Sequence, residues 1–150
     1  MACLISSSIE ETQAIASELS ATLSPGAILA FFGDLGAGKT TFIKSVISAL
    51  SRVSEWEVCS PTFSYLNVYD KIYHFDLYRI SSSEEFVKMG FEDYLGGDRI
   101  CCIEWAERIE DILPRDTTRI SIEHVKEGVR KIEIVRLQNV DLSCEVRCEL

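Results

Sequence analysis

The sequence predicts an α/β fold, a three-layer sandwich in which helices cover a central, mostly parallel sheet with antiparallel hairpins at its edge. Two runs, residues 27–32 and 99–103, are apolar throughout, as expected of parallel strands buried on both faces. After residue 39, apolar side chains recur three and four positions apart up to residue 50, which indicates a helix. Residues 118–123 and 129–135 alternate instead, which indicates a hairpin with one dry and one solvated face, placed at an edge.

The composition is that of a globular protein. The chain has 150 residues, so we expect one domain over 1–150, with about 138–150 as a flexible tail. It has no apolar run of 18 residues and no basic flank at its start, so we expect neither a membrane span nor a secretory signal. The 6 cysteines are too scattered for a disulfide scaffold, and Cys144 and Cys148 have no second pair or histidine beside them to complete a metal site. We therefore expect a cytoplasmic protein with reduced thiols.

The net charge of −9 argues against direct binding of nucleic acid. Phosphate backbones bind basic surfaces, and the sequence contains no dense stripe of lysine and arginine. If RNA is involved, we do not expect this chain to bind it alone. The acidity is compatible with docking onto a basic protein partner.

Local signals place the remaining elements in chain order. Ser8 is predicted to cap a first helix, in a capping box with Glu11, before residues 24–26 (Ser-Pro-Gly) end it. The inward face of that helix is predicted to carry Ile9, Thr12, Ile15, Ala16 and Leu19. Further on we expect a connector or short strand at 55–59, strands at 63–69 and 72–75 joined by a tight turn, a helix starting at 81–85 and ending at Gly90, and a short helix at 105–113.

The segment between the first apolar strand and its helix matches a phosphate-binding loop, Gly-x-x-x-x-Gly-Lys-Thr. Glycines let the backbone turn so that successive N–H groups face one anion. Lys39 would reach the β- and γ-phosphates of a nucleotide, and the Thr40 hydroxyl would ligate Mg²⁺. The predicted nucleotide-binding residues of this segment are Gly33, Asp34, Leu35, Gly36, Ala37, Gly38, Lys39, Thr40 and Thr41. The fold is accordingly predicted to be P-loop NTPase-like.

Two carboxylates follow apolar strands, where an acid on the metal side of a phosphate loop is expected. Glu104 follows the more typical parallel core strand and is assigned to Mg²⁺, directly or through water. Asp76 is assigned to positioning or activating the attacking group. For each, the competing interpretation is a strand-end carboxylate that only caps a helix.

Four further side chains allow both a functional and a structural interpretation. Thr62 lies in Ser-Pro-Thr-Phe, either a switch segment that senses the γ-phosphate and Mg²⁺ or a proline turn. Arg79 either faces phosphate or pairs with an acid. His74 is more typical of a packed strand residue than of a catalyst. Trp105 either stacks on a base or a partner, or belongs to the core.

Taken together, residues 33–41, 60–63 (Ser-Pro-Thr-Phe), 74–79 (His-Phe-Asp-Leu-Tyr-Arg) and 104–105 (Glu-Trp) resemble the bacterial TsaE (YjeE) family. The resemblance covers about residues 8 to 136. It implies a small ATPase needed to form threonylcarbamoyladenosine next to the anticodon of tRNAs that read codons beginning with A. It also implies ATP and Mg²⁺ as cofactors and two partner subunits, TsaB and TsaD, of which TsaD carries the transfer. Contact with tRNA would be indirect, through that complex, with no DNA and no membrane involved.

The same resemblance implies roles for individual residues. Thr40 and Glu104 match the family's Mg²⁺ ligands, Thr62 its switch threonine, and Asp76 its aspartate; with Lys39, Asp76 and Thr62 form the predicted catalytic set. The nucleotide contacts outside the loop are implied at Thr12, Trp105 and Arg130. The family's Gly-x-Arg-Arg turn appears here with lysine as its second basic residue, at position 131.

Three other functions compete with this one. A small-molecule or nucleotide kinase would use the same loop, but it usually adds an arginine-rich lid. Residues 81–98 are the only sizeable insertion, and they contain a single basic residue, Lys88. A GTPase is disfavoured because the chain lacks an Asn-Lys-x-Asp motif. A subunit that merely holds a structural nucleotide would not need Thr40, Asp76 and Glu104 together. Slow hydrolysis, completed or stimulated by the partner, is therefore the prediction.

Overall fold

The structure, a computed structural model, describes residues 1–136 and contains one seven-stranded sheet. The strand order across the sheet is β1-β7-β6-β2-β5-β4-β3. The strands are β1 (Ala2–Ser6), β2 (Ile28–Phe32), β3 (Leu66–Tyr69), β4 (Ile72–Asp76), β5 (Ile100–Glu104), β6 (Thr118–Lys126) and β7 (Val129–Val135). The predicted tail and the pair Cys144 and Cys148 lie outside the described residues.

The centre of the sheet is parallel, as predicted. Strands β6, β2, β5 and β4 are parallel neighbours, and β5 is buried at every residue. In this register Glu104 lies opposite both Phe31 and Asp76. The carboxyl ends of β2, β4 and β5 therefore meet at one edge of the sheet, and the predicted loop starts from that edge.

The hairpin of β6 and β7 is not at the edge of the sheet, and this prediction was wrong. β6 pairs in parallel with β2, while β7 pairs on its far side with β1, for which no strand was predicted. β1 is only five residues long and mostly half-buried, so its sequence carries too little alternation to reveal a strand. The hairpin predicted from residues 63–69 and 72–75 lies at the opposite edge of the sheet, where β3 pairs antiparallel with β4.

Helices cover both faces of the sheet, which completes the three layers. The α-helices are α1 (Ile9–Ser20), α2 (Lys39–Leu50) and α3 (Ser83–Lys88), and 3₁₀ helices span Glu55–Glu57, Phe91–Tyr94 and Ala106–Ile112. On one face, α1 and α2 pack over Leu29 and Phe31 of β2. On the other, α3 and the 3₁₀ helix Ala106–Ile112 pack over Phe75 and Ile103. The alternation of side chains along the strands separates these two apolar clusters.

Helix α1 begins where predicted but differs in detail. The Ser8 hydroxyl accepts a hydrogen bond from the Glu11 N–H at 3.1 Å, whereas the Glu11 carboxylate accepts from the N–H of Ser7 and not of Ser8. The helix ends at Ser20, before the predicted stop. Ile9, predicted to face inward, is 63% exposed and lies beside the predicted loop.

Three other boundaries also differ. Segment 55–59, predicted as a connector or a short strand, is a connector that contains the 3₁₀ helix Glu55–Glu57, and the strand predicted from residue 63 begins only at Leu66. Tyr65 has a φ of 64°, which an extended strand cannot include. The helix after Trp105 is 3₁₀ and kinks at Ile109. No helix among residues 1–136 is long and apolar enough to span a membrane.

Candidate functional site

The loop from Gly33 to Thr40 leaves β2 and enters α2 across the carboxyl edge of the sheet. Gly33 has a φ of 142°, and a Cβ there would collide with the carbonyl oxygen of Ile122 on β6. Gly38, with a φ of 113°, is the residue before the first turn of α2. Both positions need glycine. At Gly33 a Cβ would collide with the backbone of β6, and at Gly38 the positive φ would strain any residue with a side chain.

The first turn of α2 points into a cleft with its N–H groups uncapped by any side chain. Gly38 is the N-cap residue and has no side chain to offer them. Arg130 of β7 holds this turn in place, since its Nε donates to the carbonyl oxygen of Ala37 at 2.7 Å. Uncapped N–H groups and the helix dipole together favour an anion at this position.

Lys39 is the cation of the cleft. Its ammonium donates to the carbonyl oxygens of Gly33 and Asp34 and lies 4.0 Å from the centre of the Trp105 ring. Burial lowers the pKa of Lys39, although nearby carboxylates, Glu104 foremost, oppose this shift. The side chain is thus buried and held by neutral or π acceptors, all of which can give way to a stronger anionic partner.

Glu104 lies at the end of β5, is 3% exposed and accepts two hydrogen bonds. The Thr40 hydroxyl donates to its Oε1 at 2.6 Å, and His74 Nε2 lies 2.9 Å from its Oε2. Burial acts to raise the pKa of Glu104, but the hydrogen bonds from His74 and Thr40 and the charge of Lys39 hold it below its ordinary value. Glu104 is therefore a buried carboxylate in its ionised form.

Asp76 lies at the end of β4, beside Glu104, and is also tied at both oxygens. Ser60 Oγ donates to its Oδ2 at 2.8 Å, and the backbone N–H of Tyr78 donates to its Oδ1 at 3.0 Å. The first of these bonds connects the segment 60–63 to the end of β4. Each oxygen keeps further acceptor capacity toward the cleft.

The structure brings most of the predicted site residues to one cleft of about 490 Å³. Those that line it are Asp34, Leu35, Gly36, Ala37, Gly38, Lys39, Thr40, Thr41, Thr62, Asp76, Glu104, Trp105 and Arg130. Gly33 lies behind the loop and contacts Lys39. Thr12 lines an adjoining hollow of about 220 Å³ that shares Ala37, Gly38 and Arg130 with the cleft.

Some residues have other partners than the sequence suggested. The Thr12 hydroxyl is 2.7 Å from Ser6 Oγ, so its polar atom is already engaged. Arg79 is exposed, makes no ion pair among residues 1–136 and lies 5.3 Å from the Phe63 ring. The salt-bridge interpretation of Arg79 thus has no partner acid within residues 1–136.

Four residues in or beside the cleft were not assigned to the site from the sequence: Ile9, Ser60, Tyr78 and His74. Ser60 and Tyr78 line the cleft and bind Asp76. His74 could have been found, because it lies two residues before Asp76 on one strand and so faces the same side of the sheet. No comparable periodicity identifies Ser60, whose contact depends on how segment 60–63 crosses the end of β4.

Within the described residues, no group of three or more histidines, cysteines or acids could hold a metal ion. This does not conflict with the predicted Mg²⁺ site. In nucleotide sites Mg²⁺ takes one or two protein oxygens and completes its shell with phosphates and water. Thr40 Oγ1 and the Glu104 carboxylate, joined by their hydrogen bond, form a donor set of this size.

Comparison with known proteins gives one consistent result. A family model described as "Threonylcarbamoyl adenosine biosynthesis protein TsaE" matches residues 6–132. The chain is 37% identical over 143 residues to a Bacillus subtilis protein named tRNA threonylcarbamoyladenosine biosynthesis protein TsaE, covering 91% of this chain and 87% of that one. A Treponema pallidum protein of the same name is 36% identical, covering 87% and 97%. The crystal structure of Bacillus subtilis YdiB superposes with a TM-score of 0.73 at 31% identity, covering 91% and 86%.

Proposed function

The chain belongs to the TsaE family, and from this premise we propose that it binds and hydrolyses ATP for threonylcarbamoyladenosine formation on tRNA. The reaction takes place in the cytoplasm, with TsaB and TsaD as partners, and tRNA is contacted only through them. One observation carries the ATPase assignment. The loop 33–40 and the two strand-end acids Asp76 and Glu104 line a single cleft, with Glu104 bonded to Thr40 of that loop.

In this proposal the triphosphate occupies the cleft in front of α2. The uncapped N–H groups of the loop and the first helical turn bind the phosphate oxygens. Lys39 exchanges its carbonyl partners for the β- and γ-phosphates, which are stronger acceptors because they are charged. Trp105 covers the phosphate end, since its ring lies against Lys39. The adenosine end extends toward the hollow of Thr12 and Arg130.

Thr40 and Glu104 hold the magnesium ion. Bound Mg²⁺ neutralises charge on the β- and γ-phosphates. Because Thr40 directs its proton to Glu104, the lone pairs of its hydroxyl are free to face a cation. The Glu104 carboxylate is ionised and keeps acceptor capacity for a water of the metal shell.

Asp76 and Thr62 act on the attacking water. Asp76 accepts its proton or orients it, with the carboxylate held by Ser60 and the backbone of Tyr78. Thr62 lies on the segment that Ser60 ties to Asp76. Loss of the γ-phosphate therefore alters the position of both Thr62 and Asp76. Water, rather than an organic acceptor, receives the phosphoryl group.

The structure favours hydrolysis over the kinase alternative. A small-molecule or nucleotide kinase usually adds a lid that closes over the phosphates, and residues 81–98 are the only sizeable insertion among the described residues. Phe86 of that insertion is fully buried against Phe75 on the face of the sheet opposite α2. The insertion therefore belongs to the helical layer on that face, and none of its residues lines the cleft.

Hydrolysis by the isolated chain is expected to be slow. Lys39 and Arg130 are the only basic residues that line the cleft within the described part of the chain, and Arg130 is bonded to Ala37. Arginines that reach the transferred phosphoryl group supply much of the rate in related chemistry. A partner subunit must supply this charge or close the cleft.

The test is ATP turnover by the chain alone and with the TsaB–TsaD pair. We expect the partners to stimulate the rate about tenfold or more, and γ-labelled phosphate to appear only in inorganic phosphate. A fast rate that the partners do not change contradicts partner activation. Label transferred to a small molecule identifies a kinase instead.

A further inference from the structure

His74 is a fully buried residue of β4 whose side chain reaches the predicted metal site. Its Nε2 lies 2.9 Å from Oε2 of Glu104, and the pair is almost entirely shielded from solvent. The two residues come from neighbouring parallel strands, in which Asp76 rather than His74 is the register partner of Glu104. The imidazole thus reaches diagonally along the sheet, toward the carboxyl ends of the strands, to meet the carboxylate.

The environment of the imidazole argues against a role in packing alone. Its Nδ1 is buried and has no hydrogen-bond partner among the described residues, so Glu104 is the ring's one polar contact there. A buried nitrogen without a partner costs free energy, whereas an apolar ring of similar size would fill the same space without that cost. The contact with Glu104 is what a histidine provides here and an apolar residue does not.

Glu104 receives one donor at each oxygen, and the two donors come from different elements. Thr40 approaches from α2 at Oε1, and His74 from β4 at Oε2. One donor leaves a carboxylate free to rotate about its last torsion, whereas two donors on opposite oxygens fix its plane. The plane of Glu104 in turn determines where the proton of Thr40 points.

We propose that His74 is a positioning residue that orients the Glu104 carboxylate, so that Thr40 and Glu104 can receive the Mg²⁺ that accompanies ATP. This inference rests on the proposed function, because it concerns the same metal site. His74 does not touch the metal or the nucleotide and acts only through Glu104. Partners of this kind, behind the ligands themselves, typically contribute about 10–100-fold in metal affinity.

Three substitutions separate the donor from the bulk of the ring. His74→Gln places an amide N–H near the position of Nε2, His74→Asn is too short to reach Glu104, and His74→Phe keeps the ring without a donor. The measurement is ATP affinity by calorimetry, with excess Mg²⁺ and with a chelator. The quantity compared is the ratio of the ATP affinity with excess Mg²⁺ to the ATP affinity with a chelator. We expect this ratio to be lower by about tenfold or more in His74→Phe and His74→Asn than in the wild type, with little change in the metal-free affinity. His74→Gln is expected to retain most of the gain, and if His74→Phe does not fold, the Gln and Asn variants decide the question.

Two controls make the assignment specific. His124, the other histidine, is exposed on β6 and lies outside the cleft, so His124→Gln should leave the Mg²⁺ response unchanged. In a Glu104→Gln background, His74→Phe should have no further effect, because non-additivity reports that one residue acts through the other.

Equal Mg²⁺ responses in the wild type and the Phe and Asn variants would overturn the inference, as would full additivity with Glu104→Gln. Either result would leave ATP binding itself intact. A wild-type chain that binds no ATP, or binds it equally well without Mg²⁺, contradicts instead the proposed function on which the inference rests.

Discussion

At the scale of single residues, the cleft is characterised by charges that are buried and close together. Lys39 lies against the Trp105 ring and bonds to two carbonyl oxygens of its own loop. Glu104 is held ionised by Thr40 and His74. Such a set is costly to bury, and no fold requirement calls for it at this edge of the sheet. Binding of a charged ligand is the physical reason we assign to it.

The residue that tests this most directly is Lys39. We expect Lys39→Ala to weaken ATP binding by about 10–100-fold, since hydrogen bonds to charged groups contribute about 1.5–3 kcal/mol. The fold should persist, because burial already disfavours the ammonium, as its lowered pKa indicates. Calorimetric titration with ATP and thermal unfolding measure the two effects separately.

Lys88→Ala is the matched control, because that lysine is exposed on α3 and its one ion-pair partner within residues 1–136 is Glu84. It should leave ATP affinity unchanged. An unaltered affinity in Lys39→Ala would mean that the nucleotide does not bind at this loop.

At the scale of elements, the site depends on how β2 and β5 align. Leu29 lies opposite Cys102 and Phe31 opposite Glu104, so a shift of one residue would turn Glu104 to the other face of the sheet. The two strands were predicted from their apolar runs. Their register could not be predicted, because parallel pairing joins segments that are distant in sequence and carries no local signal.

Gly26, just before β2, tests this alignment. A Cβ at Gly26 would collide with the carbonyl oxygen of Gly97, which precedes β5. Gly96 is the matched position, since its φ of 81° nearly equals the 83° of Gly26 and nothing lies within 4 Å of a Cβ there. Both alanine variants suffer the positive φ, about 1–2 kcal/mol, but only Gly26→Ala must also displace backbone.

We therefore expect Gly26→Ala to lower the free energy of unfolding by at least about 1 kcal/mol more than Gly96→Ala does. Urea titration of the two variants beside the wild type gives the difference. Equal losses would indicate that the two loops are not in contact in solution.

At the scale of the whole molecule, charge limits what the chain can bind. A net charge of −9 repels a polyanion, although the proposed function concerns tRNA. In the proposed function the chain therefore acts on tRNA only through its partners, and the acidic net charge suits docking on a basic protein.

This argument predicts that the isolated chain does not bind tRNA. In a titration of labelled tRNA at physiological salt, followed by anisotropy, we expect no saturable binding by the chain alone and saturable binding once TsaB and TsaD are present. Tight, salt-dependent binding by the chain alone would show a basic surface that the described residues do not reveal.

The sequence by itself determined the class of fold, the loop at 33–40 and the two acids at strand ends. Each of these features has a signal within a short stretch of residues: a hydrophobic periodicity, a glycine pattern or an apolar run. Tertiary structure decided the rest: β1 as the partner of β7, Ile9 at the mouth of the cleft, Ser60 on Asp76, and His74 on Glu104. These contacts join residues 16 to 132 positions apart or depend on where a helix begins. Only packing of the complete sheet brings them together, and the donors that hold the two acids became visible only there.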